Sequence, residues 1–98
     1  MSKLKHPHPG EILRDEFLVP MDITQYRLAV KTGMPHSRVT SLIHGRVGVS
    51  ADTALRLSRF FGNSARFWLN LQAEFDLRAA QESKGDEYEK IHKVAEDP

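Results

Sequence analysis

The sequence predicts an all-α fold, five helices built around a helix-turn-helix, and two observations predict it. The first is residues 24–45, TQYRLAVKTGMPHSRVTSLIHG, which read as two short helices on either side of a Gly33-Met34-Pro35 turn, with Gly45 as the stop. The second is punctuation. Residues suited to start a helix (Pro9, Thr24, Ser50, Ser64) and residues suited to end one (Pro20, Gly33, Gly45, Gly62) divide the chain into helix-sized pieces.

The first helix begins at Pro9, whose ring is already set for the first helical position. Glu11 lies in the first turn, where a carboxylate complements the positive helix end. Leu13, Phe17 and Leu18 supply the apolar face, and Pro20 stops the hydrogen-bond ladder. The second helix, 24–32, is capped by Thr24, turns Leu28 and Ala29 inward and ends at Gly33. The third, 36–44, carries Val39, Leu42 and Ile43 at the i, i+3, i+4 spacing of a buried stripe. Its remaining positions are polar and mostly small. Ser50 caps a fourth helix through Phe61, with Ala54, Leu57, Ser58 and Phe61 on one side, and Gly62 closes it.

Ser64 caps the fifth helix, SARFWLNLQAEFDLRAAQ, in which Phe67, Trp68, Leu69, Leu71, Phe75 and Leu77 crowd more than one face. A helix apolar over more than one stripe needs more than one partner. One stripe is therefore assigned to the core and another to a second copy of the chain, with Phe67, Trp68, Leu71 and Phe75 as the dimerisation residues. A boundary is expected at 82. Residues 1–82 form the domain, and residues 83–98 form an acidic C-terminal tail in which Tyr88, Ile91 and Val94 recur at helical spacing. Isolated, such a helix is marginal.

Composition narrows the function. A chain of 98 residues suits one domain, and the absence of cysteine rules out disulfides and thiolate metal sites. No apolar run approaches the roughly 18 residues that span a bilayer, and the charged start, MSKLKHPHPG, has no apolar stretch behind it as a signal peptide would. A cytoplasmic protein is expected. His6 and His8 make an H-x-H pair without a third ligand, so they are read as part of a flexible arm, with no metal and no cofactor. No nucleophile–base or paired-carboxylate arrangement falls on an organised scaffold, so no enzyme is expected.

The net charge of +1 conceals a strong asymmetry. Residues 1–22 sum to −1 and residues 74–98 to −4, whereas residues 23–73 hold seven Lys/Arg against the single acid Asp52. That block contains the helix-turn-helix and would attract a polyanion, while the tail would repel one.

Within the motif, chemistry assigns the expected roles. Gln25, opening the second helix, is placed to donate its amide to a phosphate, supported by the helix end. His36 and Ser37 open the recognition helix over base edges, and Ser41 lies one turn on with Thr40 beside it. Arg38 has the reach for a guanine or a phosphate. His44 and Arg46 lie where the chain leaves the groove and fall against the DNA backbone. The competing structural reading is a plain αα-hairpin in a helical bundle. The competing functional reading is a protein-binding module using the aromatic helix or the acidic tail.

Over residues 6–80 the chain resembles the HigA/VapI-type antitoxins of bacterial toxin–antitoxin modules, which carry a repressor-like helix-turn-helix. The resemblance rests on His8-Pro9-Gly10-Glu11-Ile12-Leu13, Tyr26-x-Leu28-Ala29, Ala51-Asp52-Thr53-Ala54-Leu55-Arg56-Leu57 and, most distinctively, Phe67-Trp68-Leu69-Asn70-Leu71-Gln72. It implies a cytoplasmic homodimer that binds double-stranded operator DNA, an inverted repeat, in its own promoter. It also implies a cognate toxin partner, a small RelE/HigB-like mRNA-cleaving protein. On the repressor pattern Gln25 takes the phosphate-anchoring place, and His36, Ser37 and Ser41 take the base-reading places. Repressors often have glutamine where this chain has His36, so the operator sequence does not carry over. An orphan transcription regulator without a toxin is the alternative.

Overall fold

The computed structural model describes residues 6–96, so the first five residues of the domain and the last two of the tail lie outside it. All regular structure among the described residues is helical. Helix α1 (Pro9–Ile12) runs directly into a π-helical segment (Leu13–Leu18), followed by α2 (Gln25–Thr32), α3 (His36–Ile43), α4 (Ala51–Phe61) and α5 (Ala65–Glu89), with a 3₁₀ turn at Val94–Glu96.

The expected starts and stops are present at the level of single hydrogen bonds. The Oγ atoms of Thr24, Ser50 and Ser64 accept from the backbone N–H groups of Arg27, Thr53 and Phe67 at 3.0, 3.2 and 3.0 Å. Each satisfies one of the donors that a helix start leaves open. Gly33 and Gly62 end α2 and α4 in the left-handed region, at φ 75° and 77°. That conformation suits glycine because it has no Cβ to clash.

The first helix departs from the expected regular α form. From Leu13 onward the bonding shifts to i→i+5, with Val19 N–H donating to the Arg14 carbonyl at 2.9 Å. A wider turn places Leu13 and Leu18, five apart, on the same face, and both are buried. Phe17 follows them inward, its ring 4.9 Å from those of Phe61 and Trp68.

The core joins Leu13 and Leu18 to Leu28, Ala29, Val39, Leu42, Ile43, Ala54, Leu57 and Trp68. Trp68 is the largest side chain in it and is 0% exposed. Its indole N–H donates to Asn63 Oδ1 at 2.9 Å, so the ring enters the core without an orphaned polar atom. A residue with no exposed surface presents nothing to a second copy, which removes Trp68 from the expected dimerisation set. Leu71 also packs on this core, and Phe75 lies beneath the N-terminal arm.

Two further expectations are revised. The arm at His6 and His8 is docked rather than flexible. His8 Nδ1 accepts from Gly10 N–H at 2.9 Å, capping α1, and its ring meets Phe75 edge-on with centroids 4.9 Å apart. His6 Nε2 lies 3.5 Å from Glu82. The fifth helix, in turn, does not stop near 81 but continues to Glu89, leaving helical geometry only at Lys84 (φ −129°, ψ 19°). At about 1.5 Å per residue its 25 residues reach well beyond the core, and Leu77, Tyr88, Ile91 and Val94 are exposed.

Candidate nucleic-acid interface

Three of the expected contact residues are organised by one short chain of hydrogen bonds. Thr40 Oγ1 donates to Gln25 Oε1 at 3.2 Å, across the angle between α3 and α2. His44 Nδ1 lies 2.9 Å from the Thr40 carbonyl. Binding the amide oxygen of Gln25 orients its NH₂ outward, and an amide NH₂ is the group a phosphate oxygen accepts from. Thr40 is half-buried, with its hydroxyl engaged by Gln25.

His36 and Ser37 are exposed on the first turn of α3. Unlike α1, α2, α4 and α5, this helix begins without a side-chain cap, at Pro35. Ser41 is half-buried one turn further along. Val39, Leu42 and Ile43 form the opposite, buried stripe. One face of α3 is thus fixed in the core while a face of short polar side chains is presented outward, a geometry that admits close approach to a major groove.

Arg38 is placed differently from the expectation. Its Nη1 donates to Asp52 Oδ2 at 2.8 Å and to Thr53 Oγ1 at 3.3 Å, so the guanidinium lies on the start of α4. Arg56 Nε donates to the same Oδ2 at 2.9 Å, and the two guanidinium groups hold the Asp52 carboxyl below the usual carboxylate range. The single acid of the basic block is therefore internally compensated.

After α3 the chain turns at Gly45 (φ 74°), where a left-handed residue is required. Arg46 and Val47 are exposed, whereas Val49 is buried. This loop is braced from two sides. Val49 N–H donates to Gln72 Oε1 of α5 at 2.7 Å, and a Cβ on Gly48 would stand only 2.8 Å from the same side chain. On the other side the His8 ring backs Gly45, where an added Cβ would stand 3.7 Å from it. Burial lowers the His8 pKa, outweighing the opposing pull of Glu11 and Asp76.

The structure thus gathers Gln25, Thr40 and His44 into one network and presents His36, Ser37, Ser41 and Arg46 around it. Two neighbours were not assigned to the contact surface from sequence. Tyr26, 69% exposed, lies with its ring centroid 6.3 Å from that of His36. An exposed aromatic directly after Gln25 was the available signal. The other is Asp52, whose i, i+4 spacing to Arg56 is visible in sequence although its pairing with Arg38 is not. Beside the Tyr26–His36 pair a cleft of about 460 Å³ is lined by Ala29, Val30, Met34 and Pro35.

Comparison with known proteins agrees with this architecture. A helix-turn-helix family model matches residues 14–68. Virulence-associated protein I of Dichelobacter nodosus is 46% identical over 77 residues, covering 79% of this chain and 71% of that protein. The solved structure of Pseudomonas aeruginosa antitoxin HigA with the higBA promoter superposes with a TM-score of 0.87 at 41% identity, covering 92% of this chain and 99% of that one. Antitoxin GraA in complex with its operator gives a TM-score of 0.85 at 42% identity, with 93% of each chain covered. With its helices, its motif and these relatives in agreement, the chain belongs to the HigA-type family of helix-turn-helix antitoxins.

Proposed function

We propose that this chain is an antitoxin that binds operator DNA as a homodimer and neutralises a RelE/HigB-like mRNA-cleaving toxin, repressing its own operon. The observation that carries the DNA reading is the outward polar face of α3 joined to Gln25 through Thr40, set in a block with a single, compensated acid. Solved relatives hold a promoter or an operator, which supports DNA as the ligand. Gln25, His44 and Arg46 grip phosphates, while His36, Ser37 and Ser41 read bases.

A dimer would present two such helices to major-groove turns about 34 Å apart, matching an inverted repeat. Phe67, 37% exposed, and Leu77, 68% exposed, are apolar α5 side chains open to a second copy. Light scattering of wild type and Leu77→Glu checks this, and a wild-type monomer at micromolar concentration removes the dimer from the proposal.

Fluorescence anisotropy with the duplex upstream of the chain's own gene tests the DNA reading. Sequence-selective binding that weakens steeply with salt is expected. A chain that binds no better than it binds a scrambled duplex would falsify it. Co-expression with the product of the adjacent gene tests the toxin reading: growth arrest relieved by this chain supports it, and arrest that persists overturns it.

A further inference from the structure

We infer that Asp52 is a specificity-determining residue, whose carboxylate keeps the Arg38 guanidinium off the DNA backbone so that α3 reads bases through His36, Ser37 and Ser41. The inference rests on the DNA-binding proposal above.

Between residues 23 and 73 the chain has seven cations and one acid. That acid is placed on the first turn of α4, where Arg38, the third residue of α3, reaches it at 2.8 Å. Arg56 grips the same oxygen at 2.9 Å and extends its Nη1 to the Thr32 carbonyl at the end of α2, also at 2.9 Å. One carboxylate therefore ties α3, α4 and α2 together. The Thr53 hydroxyl gives the Arg38 guanidinium a second acceptor on α4.

A freely mobile arginine on a recognition helix adds a phosphate contact to any duplex, because phosphates carry no sequence information. Such a contact strengthens binding to non-operator DNA along with binding to the operator. Clasping Arg38 on Asp52 withholds that uniform gain and leaves His36, Ser37 and Ser41 as they are. Moving the guanidinium to a phosphate would also leave the carboxylate facing a polyanion with Arg56 alone to offset it.

The test measures binding of wild type, Asp52→Asn, Arg38→Gln and the double variant to the upstream duplex and to a scrambled duplex of equal composition, across a salt series, with circular dichroism confirming the fold. Asp52→Asn is expected to bind the scrambled duplex several-fold more tightly, with a salt slope steeper by about 0.9 for the added phosphate contact. That gain is expected to vanish in the double variant. A gain that persists without Arg38 overturns the inference, because it would come from net charge alone. Arg38→Gln is informative even if Asp52→Asn fails to fold. It is expected to keep the wild-type slope, and a slope shallower by about 0.9 shows Arg38 already on a phosphate and overturns the inference. If wild type itself shows no preference for the upstream duplex, the DNA-binding proposal falls and takes this inference with it. If wild type discriminates and Asp52→Asn matches it, only the inference falls.

Discussion

Gly10 lies directly beneath the carbonyl of Leu42: a Cβ on this glycine would stand 1.8 Å from the Leu42 oxygen and 2.8 Å from its carbon. Backbone meets backbone there, so no side chain can move aside. Leu42 is on the buried stripe of α3, and the contact sets how closely α1 and α3 approach.

Gly10→Ala is expected to destabilise the fold by about 1–3 kcal/mol or more, the range for forced overpacking. Urea unfolding measures it. DNA affinity should drop as well, since α3 would be displaced. An unchanged midpoint would show that the α1–α3 contact gives way easily.

Gln25→Ala should weaken binding to operator and scrambled duplexes by similar factors, and flatten the salt dependence by about one unit, as for the loss of one phosphate contact. Thr40→Val should have a smaller effect in the same direction, because it removes only the hydrogen bond that orients the amide. Anisotropy titrations over a salt series distinguish the two. A loss confined to the operator would move Gln25 into the base-reading group.

Substitutions at Ser37 or Ser41 should change which bases are preferred rather than how strongly DNA is held. About 1–3 kcal/mol of discrimination per contact is expected for direct readout. Selection from a randomised duplex pool reads this out, and an unaltered consensus for Ser37→Asn would place α3 differently in the groove.

His8 makes stability depend on pH. Its folded pKa is lowered by burial, and Nδ1 must stay unprotonated to accept from Gly10 N–H. The neutral form is thus favoured by folding. Its contribution is complete above the unfolded value, about 6.5, and is lost as pH falls through the lower folded value. His8→Asn retains a capping side chain without titrating. Thermal melts from pH 8 to 5 should show wild type losing more stability than this variant, and parallel curves would remove His8 as the cause.

Trp68→Ala should cost about 3–5 kcal/mol, as for a large buried aromatic. Asn63→Ala should cost about 1–3 kcal/mol by orphaning the buried indole N–H. Chemical denaturation of both variants checks the order of the two costs.

Local signals were legible and long-range partners were not. Thr24, Ser50 and Ser64 could be read as caps because a cap bonds within three residues. Val39, Leu42 and Ile43 could be read as core because helical spacing gathers them on one side. Arg38 could not be placed, since its partner lies 14 residues away on another helix and no periodicity links them. Trp68 was ambiguous for a related reason. An aromatic at helical spacing suits a core and an interface equally, and only the packing of Phe17 and Phe61 against it decides. The continuation of α5 to Glu89 was hidden by polar composition and Gly85, which weaken the helical pattern without breaking the helix.

The two braces on the loop after α3 bear on how portable this motif is. Gly45 is backed by the ring of a residue upstream of the first helix, and Val49 is held by a residue in the last. The reading head is therefore not a cassette. Transplanting residues 24–45 into another helical scaffold would carry the outward polar side chains of α3 but neither His8 nor Gln72, and the angle at which α3 is presented would pass to the host. Conversely, the N-terminal arm and the long final helix both touch the loop that follows α3, so a partner seated on either lies one contact away from the end of that helix.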